Sequence, residues 1–260
     1  MNRILIYMFT GFLFSAGAMA QEHEATDENL SPMNRVAMEL YVDFTNSVDG
    51  EEFQILLVGN SLTLHGVAED IGWFMECGMA ASAVEKDYAH LLFRKLEKLM
   101  PDRRIHMRLS NSASFEREFE SFDLGTVDKI MEGFNPDFIL FQLGENVAWD
   151  ADRELFSRKY TAFIKRFTRG NKTVTLCTTP FFPTAWKSEV HREVALQTNS
   201  FLVDLSSLPL LDEENYAKNE KDYPGSREAW KVEGIGVHPG DYGMENIAEL
   251  IFITINALVQ

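Results

Sequence analysis

The segment Phe53–Thr63 reads FQILLVGNSLT. Its first six residues are apolar except for Gln54, a pattern typical of a strand that is covered on both faces of a sheet. Gly59 and Asn60 follow, and Ser61 stands just beyond the predicted strand. A serine there, close behind a glycine, is exposed at the sheet edge with its backbone N–H free to face an oxyanion. Ser61 is therefore a candidate nucleophile.

Similar apolar runs alternate along the chain with segments of helical period. The predicted strands are Phe53–Val58, Ile105–Leu109, Phe138–Leu143, Val174–Thr178 and Phe201–Leu205. The predicted helices are Lys86–Met100, Phe122–Gly133, Asp152–Gly170, Lys187–Ser200 and Tyr242–Val259. This alternation predicts an α/β fold, a three-layer α/β/α sandwich around a mainly parallel five-stranded sheet. Ligands bind such sheets beyond the carboxyl ends of the strands, so functional residues are expected just after the apolar runs.

The N-terminal twenty residues have the composition of a signal peptide. Arg3 gives a positive start, Ile4–Gly17 is apolar, and Ala18–Ala20 has the small-x-small pattern of a cleavage site. The apolar part is shorter than the roughly 20 residues that span a bilayer, and no later segment is expected to span one. Residues 21–32 are acidic and predict a disordered leader, so the folded domain is expected over residues 33–260. We therefore expect a protein exported to the periplasm or the extracellular space.

The chain is acidic, with 24 Lys and Arg residues against 40 Asp and Glu residues and a formal net charge of −16. Such a surface repels phosphate backbones and anionic headgroups. Nucleic acid is therefore excluded as a partner, stable membrane insertion is not expected, and a neutral or weakly charged substrate is favoured.

Cysteine and histidine spacing predicts neither a metal site nor a dinucleotide cofactor. Cys77 and Cys177 are the only cysteines. They can pair in an exported protein but do not form a disulfide framework. Cys177 lies in an apolar run and is expected to be a buried core thiol. His191 is expected on the polar face of its helix, at the surface.

Three short motifs follow strand ends or open the last helix, and together they resemble a known family. Gly59–Thr63 resembles block I of the SGNH (GDSL-like) hydrolases, usually written Gly-Asp-Ser-Leu. Gly144–Asn146 resembles block III, Gly-x-Asn, and Val237–Pro239 resembles block V. The blocks occur in the family's order and span the chain from Phe53 to its C-terminus. The resemblance implies a flavodoxin-like fold and a serine esterase that needs no cofactor.

The same resemblance assigns roles to individual residues. It implies Ser61 as nucleophile and His238 as its base. The implied oxyanion hole consists of the Ser61 N–H, the Asn146 side-chain amide and a backbone N–H from block II. That block normally carries glycine, and alignment on Asn111 puts Ala113 in its place, which keeps the N–H.

A second departure concerns the acid that orients the histidine. Family members usually carry Asp three residues before the histidine, but Ile235 stands there, before His238. Glu233 is a tentative replacement, and Glu145 is a further candidate. Otherwise a backbone carbonyl or a water orients the ring and the site is a dyad.

Aromatic residues in the predicted strand-end loops suggest substrate contacts. The tentative substrate-binding residues are His65, Trp73, Phe74, Glu145 and Phe181. The acyl pocket is expected to be small, crowded by Trp73 or Phe74 and by the pair Phe181–Phe182. Trp73, with Trp149, Trp186 and Trp230 in other predicted loops, favours a sugar-binding rim.

The leading functional hypothesis is an exported carbohydrate O-acetylesterase that acts on small acyl esters. The alternatives are a lipase or lysophospholipase and a catalytically inactive glycan-binding module. The sequence leaves the sugar and the oligomeric state open.

Overall fold

The computed structural model describes residues 41–170 and 172–259. The signal peptide and the acidic leader predicted for residues 1–32 lie outside the described residues. The strands are β1 (Tyr41–Thr45), β2 (Glu52–Gly59), β3 (Arg104–Asn111), β4 (Phe138–Phe141), β5 (Val174–Thr178) and β6 (Phe201–Val203). They form one sheet in the order β1-β3-β2-β4-β5-β6. Every pairing is parallel except that of β1 with β3.

The five predicted strands are all present, and the prediction of only five was wrong. The additional strand β1 lies at the sheet edge, where four of its five residues are exposed, so it has no continuous apolar run. Phe44 alone packs against the core, and contacts with a charged side chain of β3 add to it. Arg108 of β3 lies 3.6 Å from the ring centroid of Tyr41 and donates to Asp43 at 2.7 and 2.8 Å.

Eight α-helices occur in the described part of the chain. They are α1 (Tyr88–Leu99), α2 (Ala113–Glu118), α3 (Val127–Met131), α4 (Arg153–Phe167), α5 (Ala185–Thr198), α6 (Ser207–Leu211), α7 (Glu233–Gly236) and α8 (Asp241–Val259). Short 3₁₀ helices occur at Val84–Lys86, Leu124–Thr126, Glu213–Asn215 and Arg227–Ala229. The helix predicted over Phe122–Gly133 is shorter than expected, because Asp123 caps a separate 3₁₀ turn before α3. The helices α2, α6 and α7 were not predicted, since four to six residues are too few to show a helical period.

Two apolar clusters give the molecule its three layers. Successive residues of β2 point to opposite sides of the sheet. Ile55 and Leu57 belong to one cluster, which α1 and α8 complete, while Leu56 and Val58 belong to the other, with α4 and α5. This arrangement confirms the predicted α/β/α sandwich.

The C-terminal helix α8 is long and apolar enough to cross a membrane by length and composition alone. The expectation that no later segment is apolar for long enough to span a membrane was therefore wrong by length and composition. Here one face of α8 packs into the core cluster that also contains α1. Its buried apolar residues are Met244, Ile247, Ala248, Ile251 and Ile255.

Both cysteines are buried and unpaired. Cys177 lies in β5 with no exposed surface, as expected for a core thiol. Cys77 lies in the loop after β2, where its backbone forms an isolated bridge with His65. The alternative that the two cysteines pair is not found.

Candidate active site

Ser61 lies in the tight turn that follows β2. The carbonyl of Asn60 accepts hydrogen bonds from the N–H groups of Thr63 and Leu64, both at 3.0 Å. The turn requires Gly59, because a Cβ there would lie 1.8 Å from Thr63 Oγ1. The chain therefore places the half-buried Ser61 at the carboxyl edge of the sheet.

His238 reaches Ser61 from the segment between α7 and α8. Its Nε2 atom lies 2.9 Å from Ser61 Oγ. Its Nδ1 atom lies 2.7 Å from the carbonyl oxygen of Gly234. A carbonyl oxygen only accepts hydrogen bonds, so Nδ1 donates and Nε2 is left as an acceptor facing the serine hydroxyl. This tautomer is the one that a general base requires.

The histidine ring is half-buried. The ring of Phe182 packs edge-on against it, with centroids 5.5 Å apart. Burial lowers the pKa of His238 to about 4, although its contact with the Gly234 carbonyl acts in the opposite direction. The imidazole is therefore neutral near pH 7 and able to take a proton.

Within residues 41–170 and 172–259, no carboxylate is hydrogen-bonded to His238 Nδ1. Glu233 begins α7 and is exposed to solvent. The group that faces His238 Nδ1 is instead the Gly234 carbonyl, which the turn into α7 directs at the ring. The tentative role of Glu233 is therefore not met. Ile235 is 1% exposed and packs into the apolar core.

Glu145, the other candidate, has both oxygens occupied elsewhere. Its Oε1 accepts from Phe181 N at 2.7 Å, and its Oε2 accepts from Asn60 Nδ2 at 2.6 Å. Burial and the neighbouring carboxylate of Glu116 raise the pKa of Glu145 to about 7. The group that orients His238 is therefore a backbone carbonyl, the third of the alternatives that the sequence left open.

Glu116 of α2 joins two of the strand-end loops and has no exposed surface. Its carboxylate accepts from Asn60 Nδ2 at 3.1 Å, Asn146 Nδ2 at 2.6 Å and Asn146 N at 3.4 Å, and also from Gly144 N. Burial raises the pKa of Glu116, and these N–H donors oppose that shift. Sequence reasoning missed this residue, because a single Glu in a six-residue helix carries no periodic or motif signal.

Two of the predicted oxyanion donors differ in their present contacts. Asn146 gives one of its two side-chain N–H groups to Glu116, and its Oδ1 accepts from Arg117 Nη2 at 3.3 Å. The N–H of Ala113, by contrast, donates to Asn111 Oδ1 at 2.9 Å. The Asn111 side chain thus closes a local turn by binding the N–H of Ala113, the group that was expected to face the oxyanion. The predicted role of Ala113 as an oxyanion donor is therefore not met.

A cavity of about 210 Å³ opens beside the serine. Residues lining it include Ser61, His65, Arg117, Glu145, Phe182 and His238. Of the pair Phe181–Phe182 that was expected to crowd the cavity, Phe182 lines it, and Phe181, which is fully buried, does not. Trp73 is 2% exposed and does not line the cavity, while Phe74 is 56% exposed and lines a different one. The loop that carries Trp73 and Phe74 therefore packs behind the site and does not crowd the cavity beside Ser61.

His65 lines the cavity as expected but is not a solvated loop residue. It is 2% exposed, and its Nδ1 lies 2.6 Å from the carbonyl oxygen of Gly66. Trp73 packs edge-on against its ring, with centroids 6.4 Å apart. Burial lowers the pKa of His65 to about 4, so the ring is neutral near pH 7.

The expectation of a surface position for His191 was wrong. The ring has no exposed surface, and its two nitrogens lie 2.7 Å from Lys187 O and 2.9 Å from Leu143 O. It lies under Gly144, whose φ of +121° and missing Cβ leave room for the ring. Lys187 Nζ donates to the carbonyl of Gly144 at 2.9 Å and to that of Val147 at 2.6 Å. Both polar side chains therefore support the loop that carries Asn146.

The four tryptophans do not form a common rim. Trp186 begins the helix α5 rather than a loop and is 7% exposed. Trp73 is buried and Trp230 is half-buried. Trp149, at 83% exposed, is the single tryptophan of the four that presents most of its surface to solvent.

Within residues 41–170 and 172–259, no group of three or more His, Cys, Asp or Glu side chains could hold a metal ion. The reactive and polar groups beside the cavity include a hydroxyl, an imidazole and amide donors.

Comparison with known proteins gives a match by structure alone. No family model matches the sequence, and no curated protein matches it. A two-domain esterase active on acetylated mannans, crystallised with mannopentaose, superposes with a TM-score of 0.54 at 16% identity. That match covers 80% of this chain and 51% of the esterase, so the chain spans about half of its length.

Two further solved structures match over nearly their whole length. The psychrotrophic esterase EstA from Pseudoalteromonas sp. has a TM-score of 0.53 at 15% identity, covering 79% of this chain and 98% of that one. TesA has a TM-score of 0.50 at 16% identity, covering 79% and 99%. The fold is therefore the α/β SGNH hydrolase fold of these neighbours.

Proposed function

We propose that this chain is a serine esterase that removes small acyl groups, most simply acetyl, from a carbohydrate. One observation carries the proposal: Ser61 Oγ lies 2.9 Å from His238 Nε2, whose ring is held in the base tautomer by a carbonyl 2.7 Å from Nδ1. A hydroxyl and a neutral, half-buried imidazole in this geometry are a nucleophile and its general base.

In the first half of the proposed reaction, Ser61 Oγ attacks the ester carbonyl carbon while its proton passes to His238 Nε2. The carbonyl oxygen becomes an oxyanion, which the Ser61 N–H and the second N–H of Asn146 Nδ2 stabilise. The intermediate collapses with cleavage of the bond to the sugar oxygen. That oxygen takes the proton from His238, and the acyl group stays on Ser61.

Water completes the cycle. His238 Nε2 takes a proton from the water as it attacks the acyl carbon, and the same proton returns to Ser61 Oγ when the carboxylic acid leaves. The Gly234 carbonyl holds Nδ1–H throughout. It is a dipole rather than a charge, so it stabilises the imidazolium less than a carboxylate does, and a slower enzyme than a full triad is expected.

The polar lining of the cavity supports a small acyl group. The side chains of His65, Arg117 and Glu145 line the space of about 210 Å³ beside Ser61, and they suit a short acyl group better than a long alkyl chain. A lipase would need a broad apolar groove there. The likeness of fold to an esterase active on acetylated mannans supports a glycan as the alcohol part of the substrate.

Export belongs to the same proposal. A cleavage after Ala20, which the sequence pattern predicts, would deliver the enzyme to polysaccharides outside the cytoplasm. N-terminal sequencing of the protein secreted by its host tests this point: a start at Gln21 supports it, and retention of Met1 in the folded product contradicts it.

The proposed reaction is tested with acetylated mannan, acetylated xylan and the same polymers after chemical deacetylation. Acetate release from an acetylated polymer by the wild type, absent in Ser61→Ala, supports the proposal. Binding to the polymers without acetate release favours the inactive glycan-binding module instead.

A further inference from the structure

The two ends of the Asn146 side-chain amide face chemically opposite partners. Nδ2 lies 2.6 Å from Glu116 Oε2, and Oδ1 lies 3.3 Å from Arg117 Nη2. An ionised carboxylate only accepts hydrogen bonds, and a guanidinium only donates them. A rotation of the amide by 180° would oppose oxygen to oxygen and N–H to N–H, so its orientation is fixed by two adjacent residues of α2.

This orientation matters because an amide presents either a donor or an acceptor to its surroundings. Nδ2 carries two N–H groups, and Glu116 takes only one of them. The other remains available to the cavity that Asn146 and Ser61 line together. In the flipped orientation a carbonyl oxygen would take that place and repel an oxyanion.

The hydrogen bonds to Glu116 favour its ionised form, against the burial that raises its pKa. All four groups against its two oxygens are N–H donors, from Asn60, Gly144 and twice from Asn146. A protonated carboxyl would oppose one of them with its own O–H. The ammonium group of Lys187, bonded to the Gly144 and Val147 carbonyls, supplies a buried positive charge nearby.

We propose that Glu116 is a positioning residue of this site, which acts through Asn146 by holding its amide with an N–H towards the oxyanion. This inference rests on the proposed function, which makes Asn146 an oxyanion donor. Glu116 does not touch substrate. Its carboxylate determines whether the N–H end or the oxygen end of the Asn146 side-chain amide faces the substrate.

The kinetic test uses Glu116→Gln, which removes the charge and replaces one of the two acceptor oxygens by an NH2 donor at almost constant volume, so that the four N–H donors around it can no longer all be satisfied. We expect kcat for p-nitrophenyl acetate to fall about 10²- to 10³-fold, the loss typical of one oxyanion donor. KM should change by no more than about twofold, because the donor acts on the transition state. Glu118→Gln, an exposed Glu of the same helix, is the matched control and should leave both constants unchanged.

A double-mutant cycle separates positioning from general structural support. If Glu116 acts through Asn146, the variant Glu116→Gln/Asn146→Ala is no slower than Asn146→Ala alone. A Glu116→Gln variant within about twofold of wild type in kcat, or losses that multiply in the double variant, would overturn the inference.

A spectroscopic test is independent of activity. In ¹⁵N-labelled wild type, one of the two Asn146 side-chain amide protons should be shifted downfield and protected from exchange by its bond to the Glu116 carboxylate. Glu116→Gln should abolish both effects and Glu118→Gln neither. Unprotected Asn146 protons in the wild type contradict the inference, even where Glu116→Gln does not fold. Protected protons in a protein that hydrolyses no ester would sink the proposed function while leaving the Glu116–Asn146 contact established.

Discussion

The Nδ1 atom of His238 donates to the carbonyl oxygen of Gly234 across 2.7 Å, and both residues lie in one short turn of the chain. The short helix α7, which contains Gly234, therefore supplies the carbonyl that fixes the orientation of the His238 ring. Since the carbonyl belongs to the backbone, no side-chain substitution removes it directly. The proposed catalytic unit is a dyad, Ser61 and His238, completed by the main chain.

Glu233→Gln should leave kcat within about twofold of wild type, because the carboxylate is exposed and a carbonyl already holds Nδ1. Removal of a true triad carboxylate costs roughly 10⁴-fold in kcat. Steady-state kinetics on p-nitrophenyl acetate distinguishes the two cases. A loss above about 100-fold, with folding intact by circular dichroism, would restore Glu233 as the orienting acid.

Ile235→Asp, which recreates the family pattern in sequence, should destabilise the protein rather than accelerate it. Ile235 is 1% exposed and packs among apolar side chains, so the new carboxylate would be buried without a partner. We expect the free energy of unfolding in urea to fall by about 3 kcal/mol or more.

Two matched variants calibrate that loss. Ile235→Val should cost only about 1 kcal/mol, and Val232→Asp, at an exposed position three residues earlier, still less. A stable Ile235→Asp protein with higher kcat would show that the position faces His238 after all.

The pH profile of kcat/KM should fall on the acid side with a midpoint near 4. The base must be neutral to take the serine proton, and burial lowers the pKa of His238 to about 4. Activity is therefore present above that pH and lost below it, as the ring becomes protonated. His65 also has its pKa lowered to about 4, so His65→Gln is examined in parallel to assign the limb to His238. Glu145 also lines the cavity, and burial raises its pKa to about 7, so a midpoint near 6.5 that persists in Glu145→Gln is the result that contradicts the burial argument.

Acetate esters should be hydrolysed with higher kcat/KM than octanoate esters. The cavity beside Ser61 measures about 210 Å³, and Phe182 packs against His238 at its edge. Phe182→Ala should reduce the difference in kcat/KM between acetate and octanoate esters, because it opens space for longer acyl chains. Faster turnover of octanoate by the wild type would favour the lipase hypothesis.

Sequence patterns predicted the parts of this molecule that depend on continuous apolar runs and on strand ends. Ser61 was a candidate nucleophile because it follows a buried strand at the carboxyl edge of the sheet, and the resemblance to the SGNH hydrolases added His238 and Asn146. The edge strand β1 was missed, since four of its five residues are exposed and Phe44 is its one residue packed against the core.

The remaining parts of the site escaped prediction for physical reasons. A backbone carbonyl was among the alternatives for the group that orients His238, but Gly234 could not be named as its source, because the backbone has no side-chain signature. Glu116, Lys187 and His191 are polar residues buried beneath loops, where hydrogen bonds to main-chain groups replace water. Such burial depends on tertiary contacts that periodicity does not register.

The central claim is that Ser61 is a nucleophile activated by His238, and covalent labelling tests it most directly. The wild type should react with a fluorophosphonate at one equivalent per chain, and mass spectrometry of the digest should place the adduct on Ser61. Ser61→Ala should lose both labelling and esterase activity while keeping its melting temperature within about 2 °C, since the hydroxyl has little packing role. Ser121→Ala, at an exposed serine outside the site, should behave as wild type. An adduct on any other residue, or undiminished hydrolysis by Ser61→Ala, would contradict the account.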